Sequence, residues 1–176
     1  MASQGEQRMM GEGTAAVAEP RPPVFGHHPF SGTYRSRLEA SGRLALPAAF
    51  KFAFTDAALV RAHRTEHLML WTPLGFEAVV DAMEAKSPGG LLDPKTRLRI
   101  FKSAPRISVD RQGRIVLPPE LREQVGIAGE ADVVLAGAVE AIEIWPAGRF
   151  DEEEAPKHDD VDLLFDTHSG LPTGPA

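Results

Sequence analysis

Two short strings of this 176-residue chain place an acid four positions before an arginine, with a glycine directly ahead of the arginine: Asp110-x-x-x-Arg114 and Glu39-x-x-x-Arg43. The glycine can take a positive φ that other residues resist, so each string reads as a tight turn. A carboxylate across such a turn can hold a guanidinium bidentately and fix its direction. A directed arginine on a turn suits phosphate oxygens or the acceptor edge of guanine. A single copy reads more readily as a hairpin ion pair with no ligand. Two copies in equivalent places favour a binding role.

The elements that must position these arginines repeat with them. Gly42 and Gly113, Arg43 and Arg114, Leu46 and Leu117, and Pro47 and Pro118 all stand 71 positions apart, while Trp71 and Trp145 stand 74 apart, so the second copy has three extra residues. In each copy a strand enters the glycine turn, a second strand leaves it ("RLAL", "RIVL"), and proline ends the ladder because it has no N–H to donate. A helical turn or two follows, with Phe50 and Phe54 at i,i+4 in one copy and Leu121 and Val125 in the other. Pro118–Pro119 suits a helix start and Gly126 its C-terminal cap. An alternating hairpin closes each copy on its tryptophan, which is expected to plug the core. Between the copies, "LGFEAVVDAMEAK" sets Phe76, Val79, Val80 and Met83 on one helical face. "SPGG" breaks that helix, and Asp93 with Pro94 starts another. Units of about forty residues cannot bury their own apolar faces. A tandem pair wrapped around itself can, which makes the repeat a dimer within one chain.

Composition sets limits. There are no cysteines, which excludes disulfides and thiolate metal sites. No apolar run approaches the roughly 18 residues of a membrane span, and the N-terminus lacks the apolar stretch of a signal peptide. The formal charge of −6 is unevenly placed: residues 150–176 hold one lysine against eight acids, while 27–149 hold sixteen Lys and Arg against fourteen Asp and Glu. The acidity belongs to the tail and the body is mildly basic, a balance compatible with a polyanionic partner. The organisation expected is a disordered extension over 1–26, repeat 1 over 27–73, a helical linker over 74–104, repeat 2 over 105–150, and an acidic disordered tail over 151–176. Within the tail, "VDLLF" reads as loose chain rather than a docking segment.

The strings "FSGTYRSRLEASGRLALPAAFK" and "VDRQGRIVLPPELR", followed by "VVLAG" and "EIW", resemble the two halves of the MraZ family, over roughly residues 30 to 150. The resemblance implies an α+β, β-rich fold: two pseudo-symmetric swapped-hairpin modules of SpoVT-AbrB type, forming one compact body with linker helices. It also implies a sequence-specific, double-stranded-DNA-binding transcriptional regulator, commonly a repressor of its own operon. Such a regulator binds short direct repeats upstream of the division and cell-wall gene cluster as a ring-shaped homo-oligomer, in the cytoplasm and on the nucleoid. The family's Asp-x-x-x-Arg signature falls on Asp110 and Arg114. In the first copy it falls on Glu39 and Arg43, where Glu replaces Asp and is expected to set Arg43 differently. Lys51 stands where the family usually has Arg, Ser41 where Lys is common, and Arg122 matches. These six residues, Arg43, Arg114, Glu39, Asp110, Lys51 and Arg122, are the expected DNA contacts. No enzyme activity, cofactor, metal, membrane or small-molecule substrate is expected.

The remaining signals are weaker. "HRTEH" over 63–67 matches the H-x-x-E-H string of inverted zinc peptidases, which needs both histidines on one helix face. Here it sits in a hairpin, so the imidazoles are not expected to converge and the string reads as a polar tip. "GHH" over 26–28 reads as an ordinary loop. The rival class is a protein-binding module, antitoxin-like or a scaffold; a metal hydrolase is the weaker second rival.

Overall fold

A computed structural model describes residues 30–154; the expected extension over 1–26, the "GHH" string, and the tail from 155 onward, "VDLLF" included, lie outside them. In chain order the elements are β1 (Thr33–Leu38), β2 (Arg43–Ala45), α1 (Ala48–Lys51), β3 (Ala57–His63), β4 (His67–Trp71), α2 (Pro73–Ala85), α3 (Pro94–Lys102), β5 (Arg106–Ser108), β6 (Arg114–Val116), α4 (Pro119–Gln124), β7 (Ala131–Ala138), β8 (Ala141–Pro146) and α5 (Ala147–Glu154). The fold is α+β and β-rich, as the resemblance implies.

The two copies exchange strands. A six-stranded antiparallel sheet runs β1-β7-β8-β4-β3-β5, and a separate ribbon pairs β2 with β6. The first strand of copy one, β1, lies on the second copy's β7, with Thr33 opposite Ala136 and Leu38 opposite Ala131. The first strand of copy two, β5, lies on the first copy's β3. The centre of the sheet joins the hairpins: β4 meets β8 with Leu68 opposite Ile144, Met69 opposite Glu143 and Leu70 opposite Ile142. In the ribbon Arg43 faces Val116, Leu44 faces Ile115 and Ala45 faces Arg114. Both registers pair repeat-equivalent residues at their midpoints, Met69 with Glu143 and Leu44 with Ile115, so one pseudo-two-fold axis passes through sheet and ribbon alike. Two further bonds cross between copies in matching fashion: Leu46 donates its N–H to the Gly113 carbonyl and Leu117 to the Gly42 carbonyl, each at 2.9 Å.

Alternation along the strands sends one face of the sheet inward. Val60, Leu68, Leu70, Ile142, Ile144, Val133, Leu135 and Leu38 from the sheet meet Leu44 and Ile115 from the ribbon, Leu117 just beyond it, and Phe50 and Leu121 from the helices. Phe30 closes this core, edge-on to Phe50 and stacked on Phe54, at centroid distances of 5.6 and 5.5 Å. The first helical turn is shorter than the Phe50/Phe54 spacing implies: α1 stops at Lys51, and Phe54 is buried from the loop beyond it, where its ring meets Phe30.

On the opposite face the copies are again alike. Thr72 accepts the Gly75 N–H and caps α2, whose Phe76 and Val80 are buried near Trp71. Asp93 caps α3 as expected, accepting from the N–H groups of Lys95 and Thr96. Met83, counted on the buried face of α2, is 41% exposed. In the second copy α5 occupies the place of α2: Phe150 lies edge-on to Trp145 as Phe76 does to Trp71, at 6.2 and 5.6 Å. Residues 151–154 therefore continue a helix, whereas the sequence reading assigned them to the disordered tail. Phe150 on Trp145, the Arg35–Asp151 ion pair, and Arg149 bonded to the Thr65 carbonyl explain the correction.

The "HRTEH" string forms a hairpin tip, with Arg64 and Thr65 at positive φ. The imidazoles do converge, contrary to expectation, because His63 and His67 are cross-strand partners and so face the same side of the sheet. Their ring centroids lie 4.9 Å apart. His67 is buried and stacked on Trp145 at 4.1 Å, with its Nε2 3.7 Å from a Glu143 carboxylate oxygen and neither ring nitrogen hydrogen-bonded. Among the described residues no group of three or more His, Asp or Glu could hold a metal.

Burial holds the His67 pKa below the ordinary histidine value; His63 lowers it further, while Glu143 and Glu66 oppose the shift. The unfolded chain, with an imidazole pKa of about 6.5, therefore takes the proton more readily than the fold. Stability conferred by neutral His67 is present above that value and is lost as pH falls below it. Replacing His67 with Phe, which keeps a ring against Trp145, is expected to flatten the fall in Tm between about pH 7 and pH 5. An unaltered Tm–pH slope in calorimetry would show that His67 does not set it.

Candidate nucleic-acid interface

The outward face of the β2–β6 ribbon carries the two arginines. Leu44 and Ile115 point into the core, so their neighbours Arg43, Ala45, Arg114 and Val116 all project from the other side. Antiparallel pairing puts the two glycine turns at opposite ends of the ribbon, each turn followed at once by its arginine. Gly42 and Gly113 adopt φ of +83° and +76°. Both turns close identically through the backbone: Glu39 and Asp110 donate N–H to the carbonyls of Arg43 and Arg114 at 2.9 Å, and accept from Gly42 and Gly113 at 2.8 Å.

The side chains break the symmetry. In the second turn Asp110 Oδ1 accepts the N–H groups of Gln112 (2.8 Å) and Arg114 (2.9 Å), and Oδ2 accepts from Arg114 Nε at 2.9 Å. The expected bidentate grip is thus a single side-chain bond, because the other oxygen is committed to backbone. That arrangement leaves both terminal guanidinium nitrogens of Arg114 without an acceptor among the described residues. The backbone N–H of Arg114, then its guanidinium, hold the Asp110 carboxyl below the usual carboxylate range, so the orienting charge persists through neutral and mildly acidic pH.

In the first turn Ser41 does the backbone work. Its hydroxyl accepts the Arg43 N–H and donates to Glu39 Oε2, both at 3.3 Å. Glu39 makes no ion pair with Arg43; among the described residues the Arg43 guanidinium has no acceptor. Glutamate in place of aspartate thus leaves Arg43 unaimed.

Lys51 and Arg122 are repeat-equivalent, and each packs on the opposite copy's turn. A Cβ on Gly113 would come within 2.9 Å of Lys51 Cβ; one on Gly42 would lie 2.9 Å from the Leu117 carbonyl oxygen and 3.2 Å from the Arg122 guanidinium carbon. Lys51 is exposed, but Arg122 is 9% exposed and its Nε lacks a partner. Arg122, expected among the contacts, therefore stands beneath the first turn rather than on the open face. One exposed cation was missed. Arg111 sits within the second turn, where the first has Ala40, and comparing the turns position by position would have found it.

A strand-exchanged pair of β-α-β units around a pseudo-two-fold axis, presenting an arginine from each of two equivalent turns, is the body of a SpoVT-AbrB-type protein. The family model described as "MraZ protein, putative antitoxin-like" matches residues 100–160. Proteins named transcriptional regulator MraZ are similar over most of the chain. That of Paenarthrobacter aurescens is 31% identical over 124 residues, covering 70% of this chain and 85% of the relative. Those of Herpetosiphon aurantiacus (32% over 126 residues, 69% and 83%) and Thermomicrobium roseum (34% over 119 residues, 66% and 80%) agree. The chain belongs to the MraZ family. No helix among the described residues is long and apolar enough to cross a membrane.

Proposed function

We propose that this chain is a DNA-binding transcriptional regulator that acts on the cytoplasmic nucleoid and represses the division and cell-wall gene cluster to which it belongs. It binds short direct repeats upstream of its own operon as a ring-shaped homo-oligomer, and it performs no catalysis. The observation that carries the reading is the outward face of the β2–β6 ribbon, with Arg43 and Arg114 on one side of a two-stranded element of a size the major groove admits. Lys51 adds charge beside the second turn, and Glu39, Asp110 and Arg122 position the turns. The body that bears this face is mildly basic although the chain is acidic, and phosphate contacts supply much of the affinity of such surfaces. The names of the relatives point the same way.

The test is fluorescence anisotropy with the duplex upstream of the chain's own gene and a scrambled duplex of equal composition, from low to physiological salt. Light scattering on the same sample gives the mass. Tighter binding of the upstream duplex, and a particle larger than a dimer, are expected. Equal binding of both duplexes would remove sequence-specific regulation, and a monomer mass would remove the ring. The second reading, an antitoxin-like or scaffold module, draws on the matched family's description and on the exposed Phe52 and Leu74. Absence of any duplex binding would favour it.

A further inference from the structure

The ribbon that bears the two arginines is symmetric in its backbone and unequal in its side chains. At the second turn, Arg114 is held by Asp110, Arg111 is exposed on the turn, and Lys51 lies exposed against Gly113. Phe52, 70% exposed, shares with Lys51, Arg111 and Asp110 a shallow pocket of about 220 Å³. The repeat-equivalent positions at the first turn differ throughout. Ala40 replaces Arg111, exposed Glu123 replaces Phe52, Arg122 is buried where Lys51 is open, and Arg43 has no acceptor to aim it. Arg114, Arg111 and Lys51 thus stand around Asp110 at the second turn, while at the first Arg43 shares its surroundings with Glu39 and Glu123.

A reader with true two-fold symmetry docks equally well in either direction along a duplex. This one cannot. We propose that the ribbon lies on DNA in a single direction. Arg114 reads a base edge, Lys51 and Arg111 anchor the adjoining phosphates, and Phe52 offers an apolar contact to sugar or a thymine methyl. Arg43 contributes an undirected phosphate contact at the far end. Direction follows from preorganisation. A guanidinium fixed through Nε presents both terminal nitrogens in one plane, the arrangement that bidentate guanine recognition needs. An unaimed guanidinium loses more freedom on binding and fits a phosphate, which accepts from many angles. The inference rests on the DNA-binding reading above and adds to it the assignment of specificity to one turn.

Selection from a randomised duplex pool with the full chain tests it, followed by affinity measurements on the enriched site and a scrambled control over a range of salt. The enriched site is expected to lack two-fold symmetry. Arg114→Lys keeps the charge and loses the fork, so it should erase roughly 5- to 150-fold of discrimination at one end of the site while leaving the salt dependence in place. Arg43→Ala, Arg111→Ala and Lys51→Gln should each weaken all duplexes alike and lower the salt slope by about one. An Arg43→Ala variant that loses as much discrimination as Arg114→Lys overturns the assignment while leaving DNA binding intact, and a palindromic site overturns it together with the direct-repeat reading. Failure of the unmodified chain to enrich any duplex overturns the DNA reading itself, and the directional one with it.

Discussion

Arg114→Ala is expected to weaken binding to operator DNA by roughly 1–3 kcal/mol for each subunit engaged, the worth of a base-reading arginine. In an oligomer that engages several sites at once the losses compound, so the observed affinity should fall further than one contact implies. The fold should survive. The Arg114–Asp110 pair is half-open to solvent, and such pairs contribute about 0–1 kcal/mol. Asp110→Ala should cost less binding than Arg114→Ala, since it removes the aim and not the charge. Arg43→Ala should cost no more than Arg114→Ala, because Arg43 is not held. Affinity and melting temperature measured together decide the matter. Variants that melt much earlier yet bind operator normally would show the arginines to be turn staples.

A large effect on folding is expected from Gly42→Ala. Alanine there meets two separate costs. The left-handed backbone at φ +83° disfavours any Cβ, and the new methyl lands 2.9 Å from the Leu117 carbonyl oxygen, on the strand exit that the Gly42 carbonyl itself ties across the copies. Left-handed strain of about 1–2 kcal/mol and an overpacking cost of about 1–3 kcal/mol put the total near 2–5 kcal/mol. Gly126→Ala separates the two contributions. Gly126 has φ +77° but nothing within 4 Å of the added Cβ, so it carries only the strain. Urea unfolding should rank Gly42→Ala well below Gly126→Ala, and equal losses would mean that close packing of the turn against the other copy contributes nothing.

The 71-residue offset made the two glycine turns and the short strands that leave them legible before any coordinates, because glycine, arginine and proline recur at equal spacing; that those two strands pair with each other is a long-range fact that spacing does not carry. The cap at Asp93 and the buried tryptophans follow similarly local rules. What stayed hidden was long-range. Nothing in "TYRSRL" marks β7 as its partner rather than its own copy's hairpin, since alternation specifies a face and not a neighbour. Arg122 matched a basic pattern, but its burial depends on the other copy's turn. The acids of 151–154 looked like solvated tail because the contacts that hold α5 come from Trp145, Thr65 and Arg35. The pairing of His63 with His67 was readable in principle: three residues separate them across a tip, which fixes them as cross-strand neighbours.

Strand exchange also dictates the order in which the molecule can be completed. Thr33 waits for Ala136, and Arg43 waits for Val116. At ribosomal speeds of about 5–20 residues per second, the first strands emerge on the order of 5–20 s before the segment they pair with. During that interval β1 and β2 have open edges, and Phe30, Leu44 and Phe50 have no core to enter. Nascent chains caught side by side on one message have the same unpaired strands and the same complementary hairpins, so the exchange that closes one chain can equally join two. A transcript halted after the linker would release a fragment with no means of hiding its apolar face, and such fragments are expected to be cleared by proteolysis or to aggregate.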